Sequence, residues 1–212
     1  MDADDFRPTI EESMATELER LGSSKLLVAL TDADLTVERV LRTAADSERA
    51  AAETFETWAD DEDHADARDA FAAFRDEEGD HYERVAALLE DSDEDDDGAD
   101  GGPMHDRLRS FETTAQRLGG VVGRSLVGDR THLQIVNFFV NEGDERRADA
   151  FRELRRETAA QGDRALAVLE DGCDESEKWD RARRAAEDVI DDAYEAYAGS
   201  LDELGLDPKP IC

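Results

Sequence analysis

Apolar residues recur along this chain at intervals of three and four, the period of a helix with one buried face, and no stretch alternates as a strand would. Cap residues and this period predict helices over about 11–29, from near Thr36 to about 60, and over about 63–90. Four more are predicted over about 104–123, 129–142, 144–171 and 176–204, the last ending at Gly205. Asp34 or Thr36 is able to cap the second helix. Pro8, Pro103, Pro208 and Pro210 fall at predicted boundaries and leave two long proline-free stretches rich in Ala, Glu, Arg and Leu. The expectation is an all-α chain.

Between the two stretches lies Asp91 to Pro103 (DSDEDDDGADGGP), an acidic run that reads as a solvated crossover. The chain is therefore expected to be a single helical domain of two related halves, 1–91 and 104–212, joined through 92–103. At an offset of 80, Asp69 to Asp91 aligns with Asp149 to Asp171, identical at ten of 23 positions, as an ancestral duplication would leave it. Arg20-Leu21-Gly22 recurs as Arg117-Leu118-Gly119, expected ahead of each half's long helices.

Two helical seams are interrupted by charge. One runs Val37, Leu41, Ala44, Glu48, Ala51, Phe55, Trp58; the other runs Ala67, Phe71, Phe74, Glu78, His81, Val85, Leu88. Burying two carboxylates on facing helices costs several kcal/mol unless a cation compensates them. Glu78-x-x-His81 projects an acid and an imidazole to one side of a helix, and Glu48 supplies a further oxygen from its neighbour. One imidazole with carboxylates suits iron or manganese.

A glutamate on one helix and Glu-x-x-His on the next, in a helix pair followed by a long crossover, resembles the ferritin-like di-iron carboxylate proteins. Within them the chain is similar to the acidic rubrerythrin-like proteins of halophilic archaea, over roughly residues 36–171. The resemblance implies a ferritin-like four-helix bundle with additional N- and C-terminal helices, a homodimer, and a role in iron handling or peroxide reduction with an external electron donor. It implies Glu48, Glu78 and His81 as metal ligands. The second half departs from the pattern: Glu78 and His81 align with Thr158 and Gln161, in the seam Phe151, Leu154, Thr158, Gln161, Ala165, Val168. The paired Cys-x-x-Cys motifs of a rubredoxin-like domain are absent from the sequence. The residues leave three readings open: a half-site with one metal, a site completed by an acid such as Glu112 or Glu142, and a metal-free polar core in a scaffold that works by association. The last helix and Leu133 to Val140 are the interface candidates of that scaffold.

Charge narrows the partners. The chain carries 57 Asp plus Glu against 25 Lys plus Arg, a net charge of −32, and only three of its cations are lysine (Lys25, Lys178, Lys209). Such a surface repels nucleic acid and anionic lipid, and it fits a salt-rich cytosol in which repulsion is screened over about 3 Å at 1 M salt. The acidic N-terminus has no signal-peptide character and no segment approaches a membrane span, so a cytoplasmic protein is expected. His64 and His105 are expected at the surface, and His132 at the bundle boundary. Cys173 and Cys212 are too few for a disulfide scaffold and are left as thiols, as ligands or as a redox pair.

Overall fold

The computed structural model describes residues 2–89, 101–171 and 176–208. Cys173, Cys212, Lys209, Pro210 and the acidic run up to Asp100 lie outside the described residues, and with them the proposals for the two thiols. Among the described residues the elements are α1 (Ala3–Ser13), α2 (Ala15–Leu21), α3 (Lys25–Leu30), α4 (Val37–Asp61), α5 (Ala65–Ala86), α6 (Pro103–Arg109), α7 (Thr114–Asn141), α8 (Glu145–Asp171) and α9 (Ser176–Glu203), with no strand. None of these helices is long and apolar enough to cross a membrane.

Two helix pairs form the centre. In α4 and α5 the aromatic pairs Phe55–Phe74 and Trp58–Phe71 show numbers falling on one helix as they rise on the other, the register of an antiparallel hairpin. The pair α7 and α8 is antiparallel likewise: the Arg124 side chain meets Gln161, Asp129 meets Arg155, and His132 meets Phe151. The start of α8 at Glu145 lies 80 residues after the start of α5 at Ala65, the same offset as the internal repeat. Both predicted seams are buried as read: from Leu41 to Trp58 on α4, and on α5 from Ala67 through Val85 to Leu88 just beyond its end.

The long helices start where their caps direct. The Thr36 hydroxyl accepts from the Arg39 N–H at 3.2 Å, and Thr113 with Gln116 forms a capping box at the head of α7. At the joint between the pairs, buried Arg117 donates to Glu62 at 3.2 Å and to the Phe111 carbonyl at 3.2 Å. This ties the α4–α5 turn to the first turns of α7.

Several predicted boundaries differ from the observed ones. The stretch 11–29 divides into α1, α2 and α3 because the chain breaks at Met14 and again after Gly22. Pro8 lies inside α1 and marks no boundary. The predicted break between 123 and 129 is absent, and α7 runs through Gly119, Gly120, Gly123 and Gly128. Glycine there serves close approach: a Cβ on Gly119 would lie 2.1 Å from the Ala182 carbonyl oxygen, and one on Gly123 would lie 2.6 Å from that of Ala186. These backbone contacts seat α9 on α7. Gly119 is thus interior to a helix and Gly22 terminates one, so the repeated Arg-Leu-Gly tripeptide does not mark equivalent places.

The apolar stripe of α9 is spent inside the chain. Val189, Ile190, Tyr197 and Leu201 are buried, as are Ile135, Val136 and Phe139 of the stretch expected to form an interface.

Candidate functional site: a buried ion network

Glu48, Glu78 and His81 come together as their spacing predicts, at 2%, 0% and 2% exposure. One ligand atom from each lies within 4.8 Å of the others. The sequence reading did not include the group between the two carboxylates. Arg124, from the middle of α7, is itself buried and places its guanidinium there. One terminal nitrogen donates to Glu78 Oε1 at 3.0 Å and to Gln161 Oε1 at 3.3 Å. The other donates to Glu78 Oε2 at 2.8 Å and to Glu48 Oε2 at 3.0 Å. The fork on Glu78 is bidentate, the geometry in which arginine binds a carboxylate most specifically. His132 Nε2 donates to the remaining oxygen of Glu48 at 3.0 Å.

All four oxygens of the two buried acids therefore accept an N–H. Burial works against the Glu78 carboxylate, but the charge of Arg124 and the adjacent His81 outweigh it and hold Glu78 well below the usual carboxylate range. Burial likewise pushes the His81 imidazole down, and the carboxylates of Glu78 and Glu48 more than reverse this, leaving it raised. His81 Nε2 pairs with Glu157 Oε2 at 2.9 Å, and that oxygen also accepts from Arg84 at 2.6 Å. His81 Nδ1 stands 3.6 Å from Glu78 Oε2 and has no hydrogen-bond partner.

The fourth side of the network comes from α8, where Thr158 and Gln161 are both fully buried at the positions aligned with Glu78 and His81. Gln161 extends the network outward by donating to Glu77 Oε2 at 3.2 Å. The acid that joins the site is Glu157, whereas Glu112, Glu142 and Glu145 are exposed and take no part. His132 faces the bundle, as its place beside an apolar stretch suggested, and His64 stays exposed at the cap of α5. Arg124 gave one usable signal: it interrupts the small and apolar run from Leu118 to Val127 and is the only charge within it.

His105, expected at the surface, is fully buried because α6 packs between α4 and α9. Its Nε2 lies 3.2 Å from the Ser47 hydroxyl. Burial and the nearby Arg124 and Arg109 charges push its pKa down to about 3. A histidine neutral in the fold and charged when unfolded lowers stability as pH falls below its ordinary value of 6.5. Between pH 6.5 and 4.5 this one group is expected to cost up to about 1.4 kcal/mol per pH unit. His81 has the opposite sign: its contribution is complete below pH 6.5 and is lost as pH rises above its elevated folded value. Urea midpoints across pH 4.5–6.5 check this, with His105→Gln expected to flatten the slope. A slope that His105→Gln leaves unchanged would refute the assignment.

Comparison with protein-family models, with curated proteins and with solved structures finds no match to this chain.

Proposed function

We propose that the chain is a ferritin-like helical scaffold in which an internal cation takes the place of a di-metal centre. The observation that carries this reading is the Arg124 guanidinium, which hydrogen-bonds both acids that the resemblance names as metal ligands. A pair of ions there would have to displace a buried arginine and would find Thr158 and Gln161 where the second acid and imidazole should stand. The amide oxygen of Gln161 is already used by Arg124. Peroxide chemistry by paired ferrous ions has little support from this donor set. Self-association, expected from the bundle class, draws no support from α9 or Leu133–Val140, whose apolar side chains are largely packed inside the chain.

A second reading keeps one metal. It is favoured by the proximity of ligand atoms on Glu48, Glu78 and His81, and by His81 Nδ1, which has no partner. Elemental analysis after anaerobic loading with Fe(II) or Mn(II) separates the two. Wild-type protein is expected to retain only substoichiometric metal, while Arg124→Ala, which frees three carboxylate oxygens beside His81, is expected to gain affinity. Stoichiometric iron in the wild type that Glu78→Ala and His81→Ala both lose would establish the second reading and overturn the first.

A further inference from the structure

The backbones of α4 and α7 stay apart along most of their length, whereas α4 packs closely on α5, and α7 on α8 and α9. A cavity of about 380 Å3 lies in the gap, in the range of small-molecule sites. Its walls include Leu26 of α3, Ala44 of α4, Val127 and Ile135 of α7, and Ala196 of α9. Ala44, Ala193 and Ala196 contribute only a methyl group each, and so leave open a space that a close-packed interior would fill. Its edge toward solvent is made by exposed Leu30, Asp32, Arg39 and Pro103.

The polar side chains on this border are engaged elsewhere. The hydroxyls of Thr31, Thr131 and Ser200 donate to the carbonyls of Leu27, Val127 and Ala29 at 2.7, 3.2 and 2.8 Å. That of Tyr197 donates to the Pro208 carbonyl at 3.1 Å, and Ser47 pairs with His105 at 3.2 Å. Among the charges, Asp32 stands 3.6 Å from Arg39 at the solvent edge and Asp46 stands 3.2 Å from Arg49, while Glu48 is held by Arg124 and His132. Arg124 Nε, His132 Nδ1 and Thr158 Oγ1 lack partners but have almost no accessible surface, so they are closed off from the cavity. Among the described residues that line it, Thr43 alone keeps a free hydroxyl, on a part-exposed side chain open to water.

These partners select the ligand. A polar or charged group entering the interior would give up its water and meet side chains whose hydrogen bonds are already made, a cost that a nonpolar molecule avoids. Apolar cavities of this kind stay dry and take up nonpolar solutes.

We propose that the cavity binds a small nonpolar molecule, an aromatic or aliphatic hydrocarbon without a hydrogen-bonding or charged head. The proposal goes beyond the scaffold reading above and holds whether or not a metal enters the ion network.

The test is titration of the full chain with toluene, phenol and benzoate, three probes of similar shape, followed by methyl NMR of Leu26, Val127 and Ile135. Toluene is expected to shift these methyls saturably and to show nuclear Overhauser contacts with them. Phenol is expected to bind at least about tenfold more weakly, because its hydroxyl would be buried unpaired, and benzoate to have no effect. Ala196→Phe, at a partly exposed wall position, fills the space and is expected to abolish toluene binding, whereas Ala52→Leu, on α4 but off the cavity, leaves it unchanged. The Overhauser contacts locate toluene in the wild type, so the site is decided even where Ala196→Phe fails to fold. Absence of saturable shifts, contacts with other methyls only, phenol binding as tightly as toluene, or unchanged toluene binding in a folded Ala196→Phe would each overturn the proposal.

Discussion

Arg124→Met is expected to cost about 3–5 kcal/mol of stability at pH 7, the penalty for leaving buried carboxylates without their cation. Glu48 would keep only His132, and Glu78 would keep only His81 at 3.6 Å. The loss belongs to the stranded charges more than to the arginine, and a compensated variant separates the two. Arg124→Met combined with Glu48→Leu and Glu78→Leu is expected to return to within about 1 kcal/mol of wild type or to exceed it, since a packed apolar core often equals a buried ion network. Urea unfolding of wild type, the single variant and the triple variant decides the matter. A single variant that loses less than about 1 kcal/mol would mean that the acids are neutral or hydrated in the fold, against the depressed Glu78 value.

Gly119→Leu should have the second large effect. Even the first carbon of a side chain would stand 2.1 Å from the Ala182 carbonyl oxygen, and the facing atoms are backbone, which cannot rotate aside. Either α7 and α9 separate or α9 shifts along its axis, and Val189, Ile190 and Leu201 lose part of their burial. Overpacking of this kind costs about 1–3 kcal/mol, and more where backbone must move. Amide hydrogen exchange gives the sharper readout: protection is expected to fall along α9 and to persist in α4 and α5, whose hairpin is packed through its own aromatics. Unchanged protection of α9 would show that the glycine contact does not hold it.

The ferritin-like resemblance rested on Glu48, Glu78 and His81, and the fold brings these three together at the centre. What spacing could not reveal was their company. Arg124 lies 76 residues from Glu48 and 46 from Glu78, on a helix of the other pair. A break was expected between about 123 and 129, whereas the helix is continuous there and its glycines are the reason α9 can come so close to α7. A glycine in a helical sequence looks alike whether it ends the helix or admits a neighbour, and only the neighbour distinguishes the two. His105 was misread for a related reason. A histidine after Pro103 in a short first turn carries no local mark of burial, and it is α4 and α9 that cover it.

The sequence by itself determined the all-helical character, the buried faces of α4, α5 and α8, and the presence of two acids and an imidazole on those faces. Each follows from the helical period, which fixes within one element which side chains share a side. Tertiary structure decided what neutralises those charges, where α9 docks and that His105 is buried. These depend on the register of one helix against another, set by packing between residues far apart in the chain.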